Sequence, residues 1–158
     1  MIRKKILLLG DFNVGKTSLI RRYIDNTFDD KYLTTIGVKI SKKCLPVGSL
    51  ECELIIWDVE GATPQKRIPE QYLVGASGAI IVADCNREET MANLEGHIER
   101  FKAVNPDGKY VVAYNKSDLL TPQQLEHFHM IPEGVLTSAK KGEHVNQLFG
   151  TLAKEILL

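Results

Sequence analysis

The sequence of 158 residues predicts an α/β fold with three layers, in which helices cover both faces of a six-stranded, mostly parallel sheet with one antiparallel edge strand. Two observations predict this fold. Short apolar runs without polar alternation recur along the chain, which is typical of strands that are covered on both faces. Segments with an apolar residue at every third or fourth position separate these runs and indicate helices. Such alternation favours a doubly wound sheet, whose ligands bind at the carboxyl ends of its strands.

Six segments are predicted to form strands. Four of them contain continuous apolar runs, at residues 6–9, 54–57, 79–83 and 110–114. Residues 38–46 and 51–57 flank a turn at 47–50, so they are predicted to form a hairpin at an antiparallel edge. The sixth strand is short and spans 134–136.

Helices are predicted over 17–24, 91–104 and 145–156, where apolar residues share one helical face. A further helix starts at Pro122, because the preceding Thr121 is a capping residue and proline suits the first turn. Each of these helices follows a predicted strand, as a doubly wound sheet requires.

The composition argues against two classes of partner. Basic and acidic residues number 20 each, so the formal net charge is zero and no global field attracts nucleic acid or an acidic membrane. No apolar run approaches the roughly 18 residues of a membrane span. The three cysteines, Cys44, Cys52 and Cys85, lack the spacing of a metal site or disulfide framework and are predicted to be buried. We expect one cytoplasmic domain over residues 1–158.

The stretch GDFNVGKT follows the first apolar run and fits the pattern of a phosphate-binding loop between a strand and a helix. Gly10 and Gly15 let the backbone N–H groups approach a phosphate without a Cβ in the way. The following helix directs its positive end to the same place. Lys16 supplies a compact charge to the terminal phosphates, and the Thr17 hydroxyl is a candidate Mg²⁺ ligand.

The stretch NKSD, at residues 115–118, follows the fourth apolar run and predicts a guanine site. Guanine presents two adjacent donors, and the carboxylate of Asp118 accepts both. Adenine lacks this pair and would leave the carboxylate unpaired, which makes such a site selective. The stem of Lys116 is expected to lie against the base. A backbone N–H of the stretch TSAK, at 137–140, is expected to donate to the guanine carbonyl.

These residues resemble the small GTPases of the Ras superfamily, and most of all the Rab branch. The resemblance extends over residues 6–156 and includes, in order, GDFNVGKT, TTIG, WDVEG, NKSD and TSAK. It implies a P-loop NTPase fold, and it implies that Phe28 packs near the guanine while Asn115 ties the base loop to the phosphate loop. The predicted GTP-binding residues are Asp11, Phe12, Asn13, Val14, Gly15, Lys16, Thr17, Ser18, Phe28, Thr35, Gly61, Asn115, Lys116, Asp118, Ser138, Ala139 and Lys140.

Two segments, at about 29–40 and 58–74, are predicted to sense the third phosphate of GTP. The predicted Mg²⁺ ligands are Thr17, Thr35 and Asp58, and the residues placed at the reacting phosphate are Lys16, Thr35 and Gly61. Loss of the γ-phosphate removes contacts to both segments, so both should loosen. The sequence therefore predicts a switch that binds GTP and GDP.

Two residues depart from the pattern that the resemblance implies. Ala62 stands where a water-orienting glutamine is usual, and Phe12 stands where a small residue is usual. Both predict slow GTP hydrolysis and a poor response to an activating protein that supplies an arginine. Gln65 or Glu60 is an alternative residue for orienting the water. The ring of Phe12 is equally well explained by packing over the second switch segment.

The resemblance implies effector or regulator proteins that bind the switch segments. Candidate contacts are Ile36, Val38, Ile40, Trp57, Tyr72 and Leu73, although burial in the core explains Trp57 equally well. We expect no direct membrane anchor in this chain, since Cys85 is its last cysteine and no glycine follows Met1. A lipidated tail is either absent by nature or trimmed.

The sequence is compatible with three functions. The first is a GTP-hydrolysing switch, and the second is a nucleotide-dependent interaction module that hardly hydrolyses. The third, a phosphotransferase, is disfavoured because the second switch segment holds only Arg67, no lid-sized insertion exists, and the base motif selects guanine.

Overall fold

The computed structural model describes residues 1–28, 37–59, 61, 67–129 and 134–158. Its strands are β1 (Ile2–Gly10), β2 (Val38–Val47), β3 (Leu50–Val59), β4 (Gly78–Asp84), β5 (Lys109–Asn115) and β6 (Val135–Leu136). Its helices are α1 (Lys16–Asp25), α2 (Glu88–Ala92), α3 (Leu94–Val104), α4 (Pro122–His129) and α5 (Val145–Leu157). Short 3₁₀ helices span Glu70–Tyr72 and Ser117–Leu119.

The strands form one six-stranded sheet in the order β2-β3-β1-β4-β5-β6. Neighbours pair in parallel except β2 and β3, which form an antiparallel hairpin that closes with Val47 opposite Leu50. The predicted fold class, a mostly parallel sheet with one antiparallel edge strand, is confirmed.

The apolar runs bury both faces of the sheet. Along β1, Ile6 and Leu8 belong to one buried cluster and Leu7 and Leu9 to another, because successive side chains of a strand point to opposite faces. The first cluster includes residues of α1 and α5, where the rings of Tyr23 and Phe149 stack with their centroids 4.0 Å apart. The second includes residues of β4, α3 and the segment 67–76.

The prediction of one helix over 91–104 is wrong in its bounds. Helix α2 begins earlier, at Glu88, and Asn93 separates it from α3. Asparagine is a weak helix former because its side chain competes for backbone and local partners. Here the Asn93 amide donates to Oδ2 of Asp11 at 2.7 Å, a partner that lies outside the helix.

The burial prediction holds for two of the three cysteines. Cys52 and Cys85 are buried, whereas Cys44 is exposed, so the prediction is wrong for Cys44. Its strand, β2, is the edge of the sheet, and the face that carries Cys44 is open to solvent. Among the described residues, no helix combines the length and the apolar character that crossing a bilayer demands.

Candidate nucleotide-binding site

The loops that carry the predicted site residues follow the carboxyl ends of parallel strands. The loop at 11–15 follows β1, Asp58 lies at the end of β3, and residues 116–118 and 137–140 follow β5 and β6. Because parallel strands end at the same edge of a sheet, these loops lie together there.

The glycine loop is shaped by close contact with the base loop. Gly15 has φ +101°, a left-handed conformation, and a Cβ at this residue would collide with the amide nitrogen of Asn115. Asn13 is also left-handed, with φ 63°. The loop therefore depends on glycine at position 15 both for its backbone conformation and for space.

Lys16 is the first residue of α1, and its side chain folds back over the loop. Its ammonium donates to the carbonyl oxygens of Gly10 at 3.4 Å and Asp11 at 3.0 Å. Burial lowers the pKa of Lys16 to about 8, against the opposing attraction of Asp58 and Asp11. The side chain is thus a largely desolvated cation beside two carboxylates, poised at the predicted phosphate site.

Asn115, which is 1% exposed, connects the loops of the site. Its Nδ2 donates to the carbonyl oxygen of Val14 at 3.0 Å, which is the link that the resemblance implied. Its Oδ1 accepts from the hydroxyl of Thr137 at 3.1 Å. One amide thus ties the phosphate loop to both segments of the predicted base site.

Asp118 is half-buried and held in place by Ser138, whose hydroxyl donates to Oδ1 at 2.8 Å. The Ser138 oxygen in turn accepts from the backbone N–H of Lys141 at 3.0 Å. Nearby, the ammonium of Lys116 donates to the Asn13 carbonyl at 3.0 Å and lies 3.2 Å from Oδ2 of Asp84. These contacts hold the Asp118 carboxylate and the Lys116 stem in defined positions.

Two predicted metal ligands are brought together. The Thr17 hydroxyl donates to Oδ2 of Asp58 at 2.6 Å, and Asp58 is buried. A hydroxyl and a carboxylate side by side are the hard oxygen donors that Mg²⁺ prefers, so the donor set fits that ion.

Gly61 packs against the phosphate loop. A Cβ on Gly61 would lie 2.6 Å from the Cα and 2.7 Å from the N of Phe12. The side chain of Phe12 is 38% exposed. The second switch segment thus starts in contact with the loop that carries Phe12.

Phe28 is half-buried and packs against the first core cluster, and Ser18 is half-buried in the first turn of α1.

Several predicted residues lie outside the described part of the chain. They are Thr35, Ile36, Glu60, Ala62 and Gln65. Of the predicted partner contacts, Ile40 is 49% exposed, Trp57 and Tyr72 are half-buried, and Leu73 is 1% exposed. Leu73 belongs to the second core cluster, so its prediction as a partner contact is wrong.

In the described part of the chain, four side chains that no sequence pattern marks also hold these loops. Asn93 and His97 both contact the Asp11 carboxylate, with Nε2 of His97 2.8 Å from Oδ1. Arg87 and Arg22 bind backbone carbonyls of the phosphate loop and of the TSAK stretch, respectively. No local pattern marks these residues, because each pairs with a segment 70 or more positions away in the chain.

A doubly wound sheet with a glycine loop between β1 and α1 defines the class of P-loop nucleoside triphosphatases. Within this class, the model of the Ras family matches residues 5–158. The chain is 34% identical to the Ras-related protein SEC4 of Saccharomyces cerevisiae, over 96% of this chain and 74% of that protein. It is 32% identical to the Ras-related protein Rab-13 of Canis lupus familiaris, over 98% of this chain and 80% of that protein.

A third relative, the Ras-related protein Rab-1D of Dictyostelium discoideum, is 34% identical over 96% of this chain and 78% of its own length. The chain therefore belongs to the Ras family and is a Rab-like small GTPase, a GTP-binding molecular switch.

Proposed function

We propose that residues 1–158 form one cytoplasmic G domain that cycles between GTP and GDP, with slow Mg²⁺-dependent hydrolysis, and signals through segments of about 29–40 and 58–74. The observation that carries this proposal is the arrangement around Asn115. It joins the phosphate loop to the base segments, and the Asp118 carboxylate is oriented by Ser138 in the second of these segments. A carboxylate so placed, beside an anion-binding loop, suits a guanine nucleotide.

In this proposal the backbone of the glycine loop and the start of α1 bind the phosphates, and Lys16 pairs with the outer ones. Asp118 accepts the two guanine donors, the Lys116 stem and Phe28 border the base and ribose region, and the 138–140 backbone reaches the guanine carbonyl. The proposed GTP contacts are Asp11, Phe12, Asn13, Val14, Gly15, Lys16, Thr17, Ser18, Phe28, Thr35, Gly61, Asn115, Lys116, Asp118, Ser138, Ala139 and Lys140.

Thr17, Thr35 and Asp58 are the proposed Mg²⁺ ligands. When bound, the ion supplies positive charge that neutralises the phosphate oxygens. The close pair of Thr17 and Asp58 supports this assignment. Around it, Lys16 is proposed to hold charge at the outer phosphates, and the N–H groups of Gly61 and Thr35 are proposed to detect the third one.

Slow hydrolysis follows from two residues. Ala62 has no group to orient the attacking water, and loss of one such group costs about 10- to 1,000-fold in rate. The backbone of Phe12 lies against Gly61, and from this position we expect the ring to crowd the water and any incoming arginine. Gln65 remains the alternative for orienting the water.

Single-turnover hydrolysis of GTP by the purified protein tests this proposal. We expect a slow wild-type rate that rises in the double variant Phe12→Gly with Ala62→Gln, while GDP affinity stays within about threefold. A wild-type rate equal to that of the double variant would refute slow hydrolysis. In that case Gln65→Ala decides whether Gln65 orients the water.

Ala62 also favours a second function, an interaction module that hardly hydrolyses and is reset by nucleotide exchange. Nucleotide extracted from the purified protein separates the two. GDP supports the hydrolysing switch and GTP supports the module, whereas adenine nucleotide contradicts both. In either case the proposed partner surface comprises Val38, Ile40, Trp57 and Tyr72, with Trp57 and Tyr72 in ring contact at 6.4 Å between centroids.

A further inference from the structure

Two arginines bind the outer sides of the two loops that surround the proposed nucleotide site. Nη1 of Arg87 donates to the carbonyl oxygen of Phe12 at 3.1 Å and to that of Asn13 at 3.2 Å. These are consecutive residues of the phosphate loop. Arg87 lies between β4 and α2 and is held there by Glu89, with Nε 3.2 Å from the carboxylate.

The base side repeats this arrangement with an unrelated part of the chain. Nε of Arg22, in α1, donates to the carbonyl oxygen of Ala139 at 2.8 Å, and its Nη2 donates to that of Lys140. These too are consecutive residues, within the TSAK stretch. Gly142 packs beside the Arg22 stem, where a Cβ would lie 3.4 Å from Cδ.

The consequence follows from the geometry of the peptide group. In a trans peptide the C=O and the next N–H point in opposite directions. A carbonyl fixed on the outside of a loop therefore aims the following N–H towards the inside. Arg87 aims the N–H groups of Asn13 and Val14 in this way, and Arg22 aims that of Lys140. Both sets of bonds are charge-assisted, which makes them stronger than neutral ones.

We propose that Arg87 and Arg22 are positioning residues for opposite ends of the nucleotide. Arg87 orients the donors that meet the second and third phosphates, and Arg22 orients the Lys140 N–H that meets the guanine. This inference rests on the proposed function, because it requires a guanine nucleotide between the loops. It adds that the two arginines act on different parts of the ligand. Arg87 affects the affinity only of nucleotides that carry outer phosphates, whereas Arg22 affects the affinity of every guanine nucleotide.

Lysine is not equivalent to arginine at either place, because a guanidinium is a planar fork and an ammonium is a point charge. The Asn13 carbonyl that accepts from Arg87 also accepts from Lys116, so loss of Arg87 leaves it one donor. The side chain of Arg87 is 35% exposed, so solvent weakens its contribution. We therefore expect moderate losses in affinity rather than loss of binding.

The experiment measures the affinity of GDP and of GMP, with Mg²⁺ present, by competition against a fluorescent GDP analogue. The variants are Arg87→Ala and Arg22→Ala, with Arg3→Ala as a matched control. Arg3 pairs with Glu53 near the amino-terminal ends of β1 and β3, away from the loops at their carboxyl ends. For Arg87→Ala we expect GDP to weaken about three- to thirtyfold and GMP by less than twofold. For Arg22→Ala we expect GDP and GMP to weaken by the same factor.

A structural role for Arg87 would weaken GMP and GDP alike, and that result overturns the proposal, as does a GDP affinity within twofold of wild type in either variant. Failure of the wild-type protein to bind GDP contradicts the proposed function instead. Should an alanine variant not fold, as judged by circular dichroism, Arg87→Lys and Arg22→Lys carry the same test. They should then show the same dependence on phosphate number, with smaller losses.

Discussion

The amide of Asn115 reaches across 101 positions of the chain to the carbonyl oxygen of Val14, 3.0 Å away. Because Asn115 is buried and also accepts from Thr137, Asn115→Ala would leave a buried carbonyl and a buried hydroxyl without this partner. We expect the free energy of unfolding to fall by about 1–3 kcal/mol. We also expect GDP to dissociate at least tenfold faster, since the variant loosens both loops.

Urea unfolding and the release of a fluorescent GDP measure these two effects. Asn146→Ala is the control, because Asn146 is exposed in α5 and alanine is the better helix former there. Equal release rates for wild type and Asn115→Ala would show that the two loops do not act together.

The pair of Thr17 and Asp58 predicts how the protein responds to loss of Mg²⁺. Removal of Mg²⁺ with EDTA should accelerate GDP release from the wild type, because the phosphates lose their counter-charge. In Asp58→Ala release should already be fast and EDTA should change it by less than about twofold. If Asp58→Ala responded to EDTA as strongly as the wild type, Asp58 would not be a ligand of Mg²⁺.

Gly61 is expected to be required for the GTP state but not for the GDP state. The Cβ of Gly61→Ala would lie 2.6 Å from backbone of Phe12, and backbone cannot swing aside as the end of a flexible side chain can. The segment that follows should then fail to close on the third phosphate, which GDP lacks.

The measurement is the ratio of affinities for a non-hydrolysable GTP analogue and for GDP. We expect Gly61→Ala to lower this ratio about tenfold or more, with GDP affinity little changed. Gly96→Ala is the matched control, because no atom of the described residues lies within 4 Å of the Cβ that it adds in helix α3. It should leave the ratio unchanged and stabilise the protein by up to about 1 kcal/mol.

The sheet, the phosphate loop and the order of the elements could be predicted because their signals are local. An apolar run such as the one ending at Leu9 specifies a buried strand wherever it pairs, and glycine at position 15 marks a turn without reference to the rest of the chain. The hairpin of β2 and β3 could be predicted equally well, since its short turn connects the two strands directly.

What could not be predicted depends on contacts between distant residues. Asn93 interrupts the helix where its side chain meets Asp11, 82 positions away. Arg87 and Arg22 look like ordinary surface arginines until the fold brings carbonyls to them across 75 and 117 positions. The exposure of Cys44 likewise depends on which side of the edge strand the helices leave uncovered.

Trp57, the single tryptophan of the chain, is expected to report the nucleotide state. The ammonium of Lys5 lies 3.7 Å from its ring centroid and donates to the carbonyl oxygen of Val74 at 2.8 Å. Lys5 thus links the ring to the end of the second switch segment. The emission of Trp57 should therefore differ between GDP and a non-hydrolysable GTP analogue.

Lys5→Met, which keeps a long stem without the cation, should reduce that difference by about half while leaving GDP affinity within twofold. Fluorescence titration measures both quantities. Identical emission of the wild type in the two nucleotide states would show that the link between Lys5 and Val74 does not transmit the state of the switch.

The three cysteines should differ sharply in their reaction with a thiol reagent. Cys44 is exposed, whereas burial raises the pKa of Cys52, and burial and the nearby Asp84 raise the pKa of Cys85 to about 12. The thiolate is the reacting form, so a raised pKa slows alkylation. At pH 8 the Cys85 thiol is therefore almost entirely protonated. Mass spectrometry of the native protein treated with iodoacetamide should show one fast label, on Cys44, and Cys44→Ser should abolish it.

Cys52 and Cys85 should be labelled only at the rate of unfolding, so that urea accelerates their labelling and leaves that of Cys44 nearly unchanged. Fast labelling of Cys85 in the folded protein would contradict its burial beneath the base loop, where its thiol lies 2.9 Å from the carbonyl oxygen of Asn115.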